Sequence, residues 1–341
     1  MTTASGQRTV AVLGAGAWGT ALAQSLACTG VRVNLWSRSE AHAQALRADG
    51  ENKRYLPGVS LHRAIAPTHD LQASMHNAEF VVLVAPSHGT RELLVQLAPL
   101  LPAHVPLVSA TKGIENDSLM FIDELVRDVL GDEVRSRFAV LSGPSFAAEL
   151  ARELPTCVAI ASENAELCTD VQKLFRAPHL RTYASDDVAG VECGAALKNV
   201  IAIAAGAADG AGFGHNTRAA LITRGLAEMA RMAVARGGQQ LTLAGLAGMG
   251  DLILTCTGEL SRNRTVGFEL GKGRKLSDIL ASLGHVAEGV KTTKSAYDLS
   301  RKLGVDMPIT TEAYRVLYED KPVRDAVRDL MARDVGREFH H

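Results

Sequence analysis

The chain lacks the features that would commit it to an extracellular, membrane or nucleic-acid setting. It holds only five cysteines, Cys28, Cys157, Cys168, Cys193 and Cys256, with no C-x-x-C pair and no regular spacing. An odd, scattered set fits reduced thiols acting as small buried hydrophobes and excludes a disulfide framework or a zinc site, so no metal is expected. A cytoplasmic location is the matching expectation. Neither sign of charge is in excess: 36 Lys plus Arg against 37 Asp plus Glu leave a formal charge of -1. Nucleic acid and anionic membranes are therefore not expected as main partners, and an anionic substrate must be met by a local cluster. The opening Met-Thr-Thr-Ala-Ser-Gly-Gln-Arg has no apolar core segment of a secretory signal. The longest apolar-looking run, Val200 to Ala208, is Ala-rich, bounded by Lys198 and Asp209, and too short to span a bilayer. No internal repeat or low-complexity tract is evident.

What is there reads as an ordinary globular chain of 341 residues, 47% hydrophobic and 21% charged, long enough for two domains. The stretch from Val10 to Ala27 organises it. A short apolar run ends in Gly14, and Gly14, Gly16 and Gly19 follow the G-x-G-x-x-G spacing just before an Ala- and Leu-rich segment of helical period. Gly14 permits the tight turn, Gly16 lets backbone approach a pyrophosphate, and Gly19 lets helix pack on strand. The free amides of the helix N-terminus then receive the phosphates. About 20 residues further on, where such sites place a ribose-binding carboxylate, the run Val31 to Trp36 delivers Ser37-Arg38-Ser39. A guanidinium suits a 2'-phosphate, so NADP(H) is favoured and NAD(H) remains possible. The alternative for Arg38 is a solvated loop charge.

Strand and helix patterns then alternate. Strands are expected at residues 64–66, 80–85, 106–109 and 138–141, and helices at 40–48, 90–100 and 119–130, with a polar loop at 51–58. This alternation predicts a doubly wound parallel sheet, the Rossmann arrangement, which binds ligands outside the carboxyl ends of its strands. Lys112 and Gly143 to Ser145 follow such ends and should gather near the glycine loop. Two further β-like runs, 156–161 and 180–183, flank a helical segment and extend the sheet with an antiparallel portion. Beyond Asp187 the sequence is Ala, Leu and Gly at helical spacing. Residues 1–187 are thus read as a dinucleotide-binding domain and 188–341 as an all-α substrate-binding domain.

Three polar islands interrupt the helical half. Lys198 and Asn199 stand in a run of small apolar residues, where an unpaired ammonium is expensive to bury, unless the lysine snorkels to water. Asp251 and Thr255 share one helix face after Gly248 and Gly250, though Asp251 could equally cap that helix. Ser261-Arg262-Asn263-Arg264 places a capping serine, two guanidiniums and a carboxamide at a helix start, equipment for holding a phosphate or simply an exposed basic turn.

Taken in order, Gly-Ala-Gly-Ala-Trp-Gly-Thr-Ala, Ala-Thr-Lys-Gly, Ser-Gly-Pro-Ser-Phe-Ala-Ala-Glu, Leu-Lys-Asn-Val, Gly-Asp-Leu-Ile-Leu-Thr-Cys and Ser-Arg-Asn-Arg resemble the bacterial cytoplasmic NAD(P)-dependent glycerol-3-phosphate dehydrogenases, over essentially the whole chain. The resemblance implies reversible reduction of dihydroxyacetone phosphate to sn-glycerol 3-phosphate, feeding glycerophospholipid synthesis. It implies that Lys198 exchanges the proton at the reacting carbonyl, that Lys112 lies near the reacting oxygen and that Asp251 orients the lysine. Gly143 and Ser145 line the site, and Ser261, Arg262 and Asn263 hold the substrate phosphate. On the cofactor side it points to Gly14, Gly16, Ala17, Trp18, Gly19, Arg38, Tyr55, Lys112, Ala147, Arg262, Val286 and Glu288. Burial and the neighbours Lys112 and Arg262 would lower the Lys198 pKa while Asp251 raises it, which leaves the net direction open. A hydroxyacid dehydrogenase of the same plan and a non-catalytic NADPH-sensing module are the competing readings. A homodimer is expected, with the small-residue helices packing across a two-fold axis.

Overall fold

The computed structural model describes residues 8–283 and 287–334. Ten strands are formed among these residues: β1 (Thr9–Leu13), β2 (Arg32–Trp36), β3 (Glu51–Asn52), β4 (Leu56–Ser60), β5 (Ile65–Thr68), β6 (Phe80–Leu83), β7 (Leu107–Ser109), β8 (Phe138–Ser142), β9 (Thr156–Ala161) and β10 (Leu180–Ser185). Helices α1 (Ala17–Cys28), α2 (Glu40–Asp49), α3 (Leu71–Ser74), α4 (Ser87–Leu97), α5 (Ile122–Leu130), α6 (Ala147–Ala151) and α7 (Ala165–Leu174) intervene. After β10 the described residues form helices alone: α8 (Val188–Gly210), α9 (His215–Ala235), α10 (Asp251–Thr257), α11 (Arg262–Gly271), α12 (Leu276–Leu283), α13 (Glu288–Leu303), α14 (Pro308–Tyr318) and α15 (Val323–Met331).

Eight strands make one sheet in the order β10-β9-β8-β7-β6-β1-β2-β5. All neighbours are parallel except β8 and β9, the antiparallel portion expected from the sequence. The chain runs outward from β1 to β2 and β5, then crosses back to β6 on the other side of β1. That reversal opens a crevice at the carboxyl ends of β1 and β6. Continuous apolar strands follow from burial on both faces: Val10 and Val12 enter one core with Val33, Leu35 and Val82, while Ala11 and Leu13 enter the other with Val81 and Leu83. Truncating a fully buried leucine such as Leu83 to alanine costs about 2–5 kcal/mol.

The structure departs from expectation first in the polar loop and the apolar run. The stretch expected as a polar loop, 51–58, lies within the β3–β4 hairpin, whose Pro57-Gly58 pair reads as a turn although it lies within β4. The apolar run is also longer than expected, because Lys198 lies inside it instead of bounding it. Helix α8 has 23 residues and passes the length and hydropathy test for a membrane span, but 89% of its apolar window is buried within the protein. It is the axis of the helical core, where Leu197, Val200 and Ile201 meet Met229 and Met232 of α9, Leu252 of α10 and Leu299 of α13. Asp187 caps it, its Oδ1 accepting from the Gly190 amide at 2.8 Å, a contact worth about 1 kcal/mol.

The small residues expected at a two-fold interface are used within the chain. A Cβ on Gly206 would lie 2.1 Å from the Arg264 carbonyl oxygen, and one on Gly267 would lie 2.0 Å from that of Ile203. Glycine therefore lets α8 and α11 pack backbone against backbone, fixing the start of α11 relative to Lys198. All five cysteines are free; Cys168, Cys193 and Cys256 are buried, Cys157 is half-buried, and Cys28 departs from the expectation by being exposed.

Candidate active site

The glycine loop has the shape that its spacing predicts. Gly14 adopts φ +131°, and a Cβ there would meet the Val84 carbonyl oxygen at 2.6 Å. A Cβ on Gly19 would lie 1.8 Å from the Gly14 oxygen, so only glycine lets α1 start this close to the turn. Above Gly16 there is open space to 4 Å. Helix α1 begins at Ala17 with no side-chain cap and no acidic residue in its first turn, leaving its amides for an anion. These residues fit a dinucleotide pyrophosphate. Trp18 flanks the loop with a buried Nε1 that has no hydrogen-bond partner among the described residues and a ring 5.7 Å from Nζ of Lys112. Arg38 stands exposed beyond β2, and no carboxylate lies within ion-pair distance of it among the described residues. Its neighbour Ser39 is occupied in capping α2, accepting from the His42 amide. Tyr55 sits in the hairpin turn with its ring edge-on to His42. Ala147 opens α6 and packs against the core around α1.

Lys198 does not snorkel. It is 6% exposed, and its Nζ donates to Asp251 Oδ1 at 2.5 Å and to Thr255 Oγ1 at 3.0 Å. The second oxygen of Asp251 accepts from Nζ of Lys112 at 3.1 Å, so a carboxylate that is 1% exposed is shared by two ammonium groups. Asp251 does not cap α10; the carboxylate is committed to the lysines. A π-helical turn over Leu246–Gly250 leads into it, a form of backbone that clusters at functional sites. A Cβ on Gly194 would lie 2.2 Å from the Ala247 carbonyl. One helical turn further along each element stand Lys198 and Asp251, so the close approach at Gly194 brings them into reach. Burial pushes the Lys198 ammonium down to about 8; Asp251 pulls the other way and Lys112 adds to the fall. The direction left open by the sequence is thus downward, because desolvation outweighs the single carboxylate that two cations share.

Lys112 follows the carboxyl end of β7 and meets this pair from the sheet side. Gly143 and Ser145 follow β8, where the serine hydroxyl donates to the Gly143 carbonyl at 2.9 Å. At the start of α11, Ser261 is the cap, its Oγ accepting from the Arg264 amide at 3.2 Å. Asn263 Oδ1 accepts from the Gly289 amide at 3.1 Å, tying α11 to the first turn of α13. Arg262 is exposed and forms no ion pair among the described residues. Only one of the two expected guanidiniums is therefore free: Arg264 binds Asp209 at 3.0 Å, together with Arg218. Glu288 opens α13, and burial raises its carboxyl above the ordinary value against the pull of Arg262, Lys112 and Lys198. Val286 lies outside the described residues.

A glycine loop at the switch point of a doubly wound sheet, facing a buried lysine in an all-helical half, defines a two-part dinucleotide-dependent oxidoreductase. Residues 9–168 match the family described as NAD-dependent glycerol-3-phosphate dehydrogenase N-terminus, and residues 187–328 match the corresponding C-terminus. The chain belongs to the NAD(P)-dependent glycerol-3-phosphate dehydrogenases. It is 54% identical over 329 residues to the glycerol-3-phosphate dehydrogenase [NAD(P)+] of Geobacter sulfurreducens, covering 96% of this chain and 98% of that one. The enzyme of that name from Myxococcus xanthus is 53% identical over 328 residues, again covering 96% and 98%. The crystal structure of glycerol-3-phosphate dehydrogenase from Coxiella burnetii superimposes with a TM-score of 0.92 at 40% identity, covering 96% of this chain and 99% of that one.

Proposed function

We propose that this enzyme reduces dihydroxyacetone phosphate to sn-glycerol 3-phosphate, with Lys198 as the proton donor. The observation that carries the reading is the desolvated Lys198 ammonium, held by Asp251 beside Lys112, with the next residue, Asn199, and Asn263 in the first turn of α11 both packed against Gly289. A nicotinamide nucleotide, when bound, would supply the hydride for C2 of the ketone. As C2 gains the hydride, the carbonyl oxygen becomes negative, and the Lys198 ammonium gives it a proton, leaving a neutral amine and a hydroxyl. Lys112 stabilises the developing alkoxide, and Asp251 and Thr255 aim the Lys198 amine. In the reverse direction the neutral amine takes the hydroxyl proton, a role that its lowered pKa makes accessible near pH 8.

Ser261 through its hydroxyl, and Arg262 and Asn263 through guanidinium, carboxamide and their backbone amides, bind the phosphate, so that remote binding energy fixes the ketone. Gly143 and Ser145 line the substrate side. Gly14, Gly16, Ala17, Trp18, Gly19, Arg38, Tyr55, Lys112, Ala147, Arg262, Val286 and Glu288 serve the nucleotide, with NADPH favoured by Arg38. The division between nucleotide and substrate domains falls at residues 187 and 188; the change from strands to helices after Ser185 supports it. A cytoplasmic homodimer belongs to the same proposal. The exposed Leu241, Met249, Ile253 and Leu260, all within twenty residues of one another, support a contact surface there.

Oxidation of NADPH and NADH is followed with dihydroxyacetone phosphate as sole acceptor. Turnover is expected. Turnover with a 2-keto acid alone would favour the hydroxyacid alternative, and nucleotide binding without any turnover would favour a sensor.

A further inference from the structure

Two side chains outside the glycine fingerprint converge on one carbonyl inside it. Ala15, between Gly14 and Gly16, is buried, and its oxygen accepts from Nδ2 of Asn52 at 3.0 Å and from Nε2 of His42 at 3.1 Å. A carbonyl oxygen cannot donate, so Asn52 must turn its NH2 toward it and His42 must carry its proton on Nε2. Asn52 is fully enclosed, and its amide is used at both ends: the other N–H donates to Thr20 Oγ1 at 2.7 Å, and Oδ1 accepts from the Tyr55 amide at 3.2 Å. These donors come from α2 and from the β3–β4 hairpin.

In a planar trans peptide the C=O and N–H point in opposite directions. Holding the Ala15 oxygen against Asn52 and His42 therefore points the Gly16 amide away from them, at a residue whose Cβ position has nothing within 4 Å among the described residues. Gly16 has no Cβ to resist the opposite orientation. Rotation of this one peptide would present an oxygen where the loop must present a donor. We propose that Asn52 and His42 are positioning residues for nucleotide binding: they lock the Ala15–Gly16 peptide with its N–H toward the pyrophosphate. This rests on the reading of the loop as the nucleotide site.

The test measures NADPH affinity by calorimetry and steady-state kinetics for the wild type, Asn52→Leu and His42→Phe, the last keeping an aromatic ring against Tyr55. Asn52→Leu is expected to weaken NADPH binding about tenfold, and His42→Phe about threefold, the scale of one or two lost buried hydrogen bonds. The KM for nucleotide should rise in parallel. Both kcat at saturating nucleotide and KM for dihydroxyacetone phosphate should stay within about twofold, since the loop lies outside the proton-transfer group. Wild-type affinity in Asn52→Leu, or a fall in kcat with affinity unchanged, overturns the inference. If Asn52→Leu does not fold, His42→Phe decides by the same two readouts. A wild-type enzyme that bound neither NADPH nor NADH would instead refute the nucleotide reading itself.

Discussion

Nζ of Lys198 lies 2.5 Å from Oδ1 of Asp251, and both groups are almost wholly removed from water. The carboxylate alone would stabilise the ammonium, yet burial and the second cation, Lys112, leave the lysine near 8. Asp251 thus moderates the desolvation of Lys198 without cancelling it.

The pH dependence follows from that balance. Reduction needs the ammonium, so kcat/KM for dihydroxyacetone phosphate should fall as pH rises through about 8. Oxidation of glycerol 3-phosphate needs the neutral amine and should rise over the same interval. Initial rates in both directions across a buffer series check the crossing limbs.

Asp251→Asn removes the carboxylate that accepts from the Lys198 ammonium and raises its pKa, so the limb for reduction should move to lower pH. It also leaves two ammonium groups facing each other, which should lower stability by about 3–5 kcal/mol, the loss typical of a broken buried pair. A pH profile together with a thermal melt separates these effects.

Arg262→Ala should raise KM for dihydroxyacetone phosphate about tenfold to a hundredfold, the equivalent of one or two charge-assisted hydrogen bonds. Because Arg262 is exposed and forms no ion pair among the described residues, the melting temperature should hardly move. Unchanged substrate kinetics would remove it from the phosphate site.

Arg38→Asp should lower kcat/KM for NADPH by at least about tenfold while NADH is spared, since a carboxylate repels a 2'-phosphate and accepts from ribose hydroxyls. Parallel kinetics with the two nucleotides measure the ratio.

Gly194→Ala inserts a methyl group 2.2 Å from the Ala247 carbonyl oxygen. The π turn must shift, at a cost of about 1–3 kcal/mol, and Asp251 should be carried away from Lys198. A lower melting temperature with a fall in kcat larger than any change in nucleotide affinity is the expected combination.

Much of this was legible from residue pattern because local chemistry and tertiary role coincide. The continuous apolar run at Phe80 could only be a strand covered on both faces, and Gly14 and Gly19 sit where no other residue fits. Lys198 and Asp251, 53 positions apart, stood out as charges in apolar surroundings. What escaped was what depends on contacts between distant backbones. The hairpin at Glu51 was hidden by Pro57-Gly58, and with it the grip of Asn52 on the loop. The small residues of α8 looked available for a partner chain, but α11 fills their groove. Arg264 looked identical in role to Arg262 until Asp209 was found to hold it. The sign of the Lys198 shift depended on burial depth, which no pattern of residues states.

Lys198→Ala, assayed for NADPH oxidation with dihydroxyacetone phosphate and for NADPH affinity by calorimetry, probes the chemistry most directly. Loss of the buried acid should reduce kcat by at least about a thousandfold, within the range of general acid catalysis, while NADPH binds as before. Turnover within tenfold of the wild type would contradict proton donation by this residue.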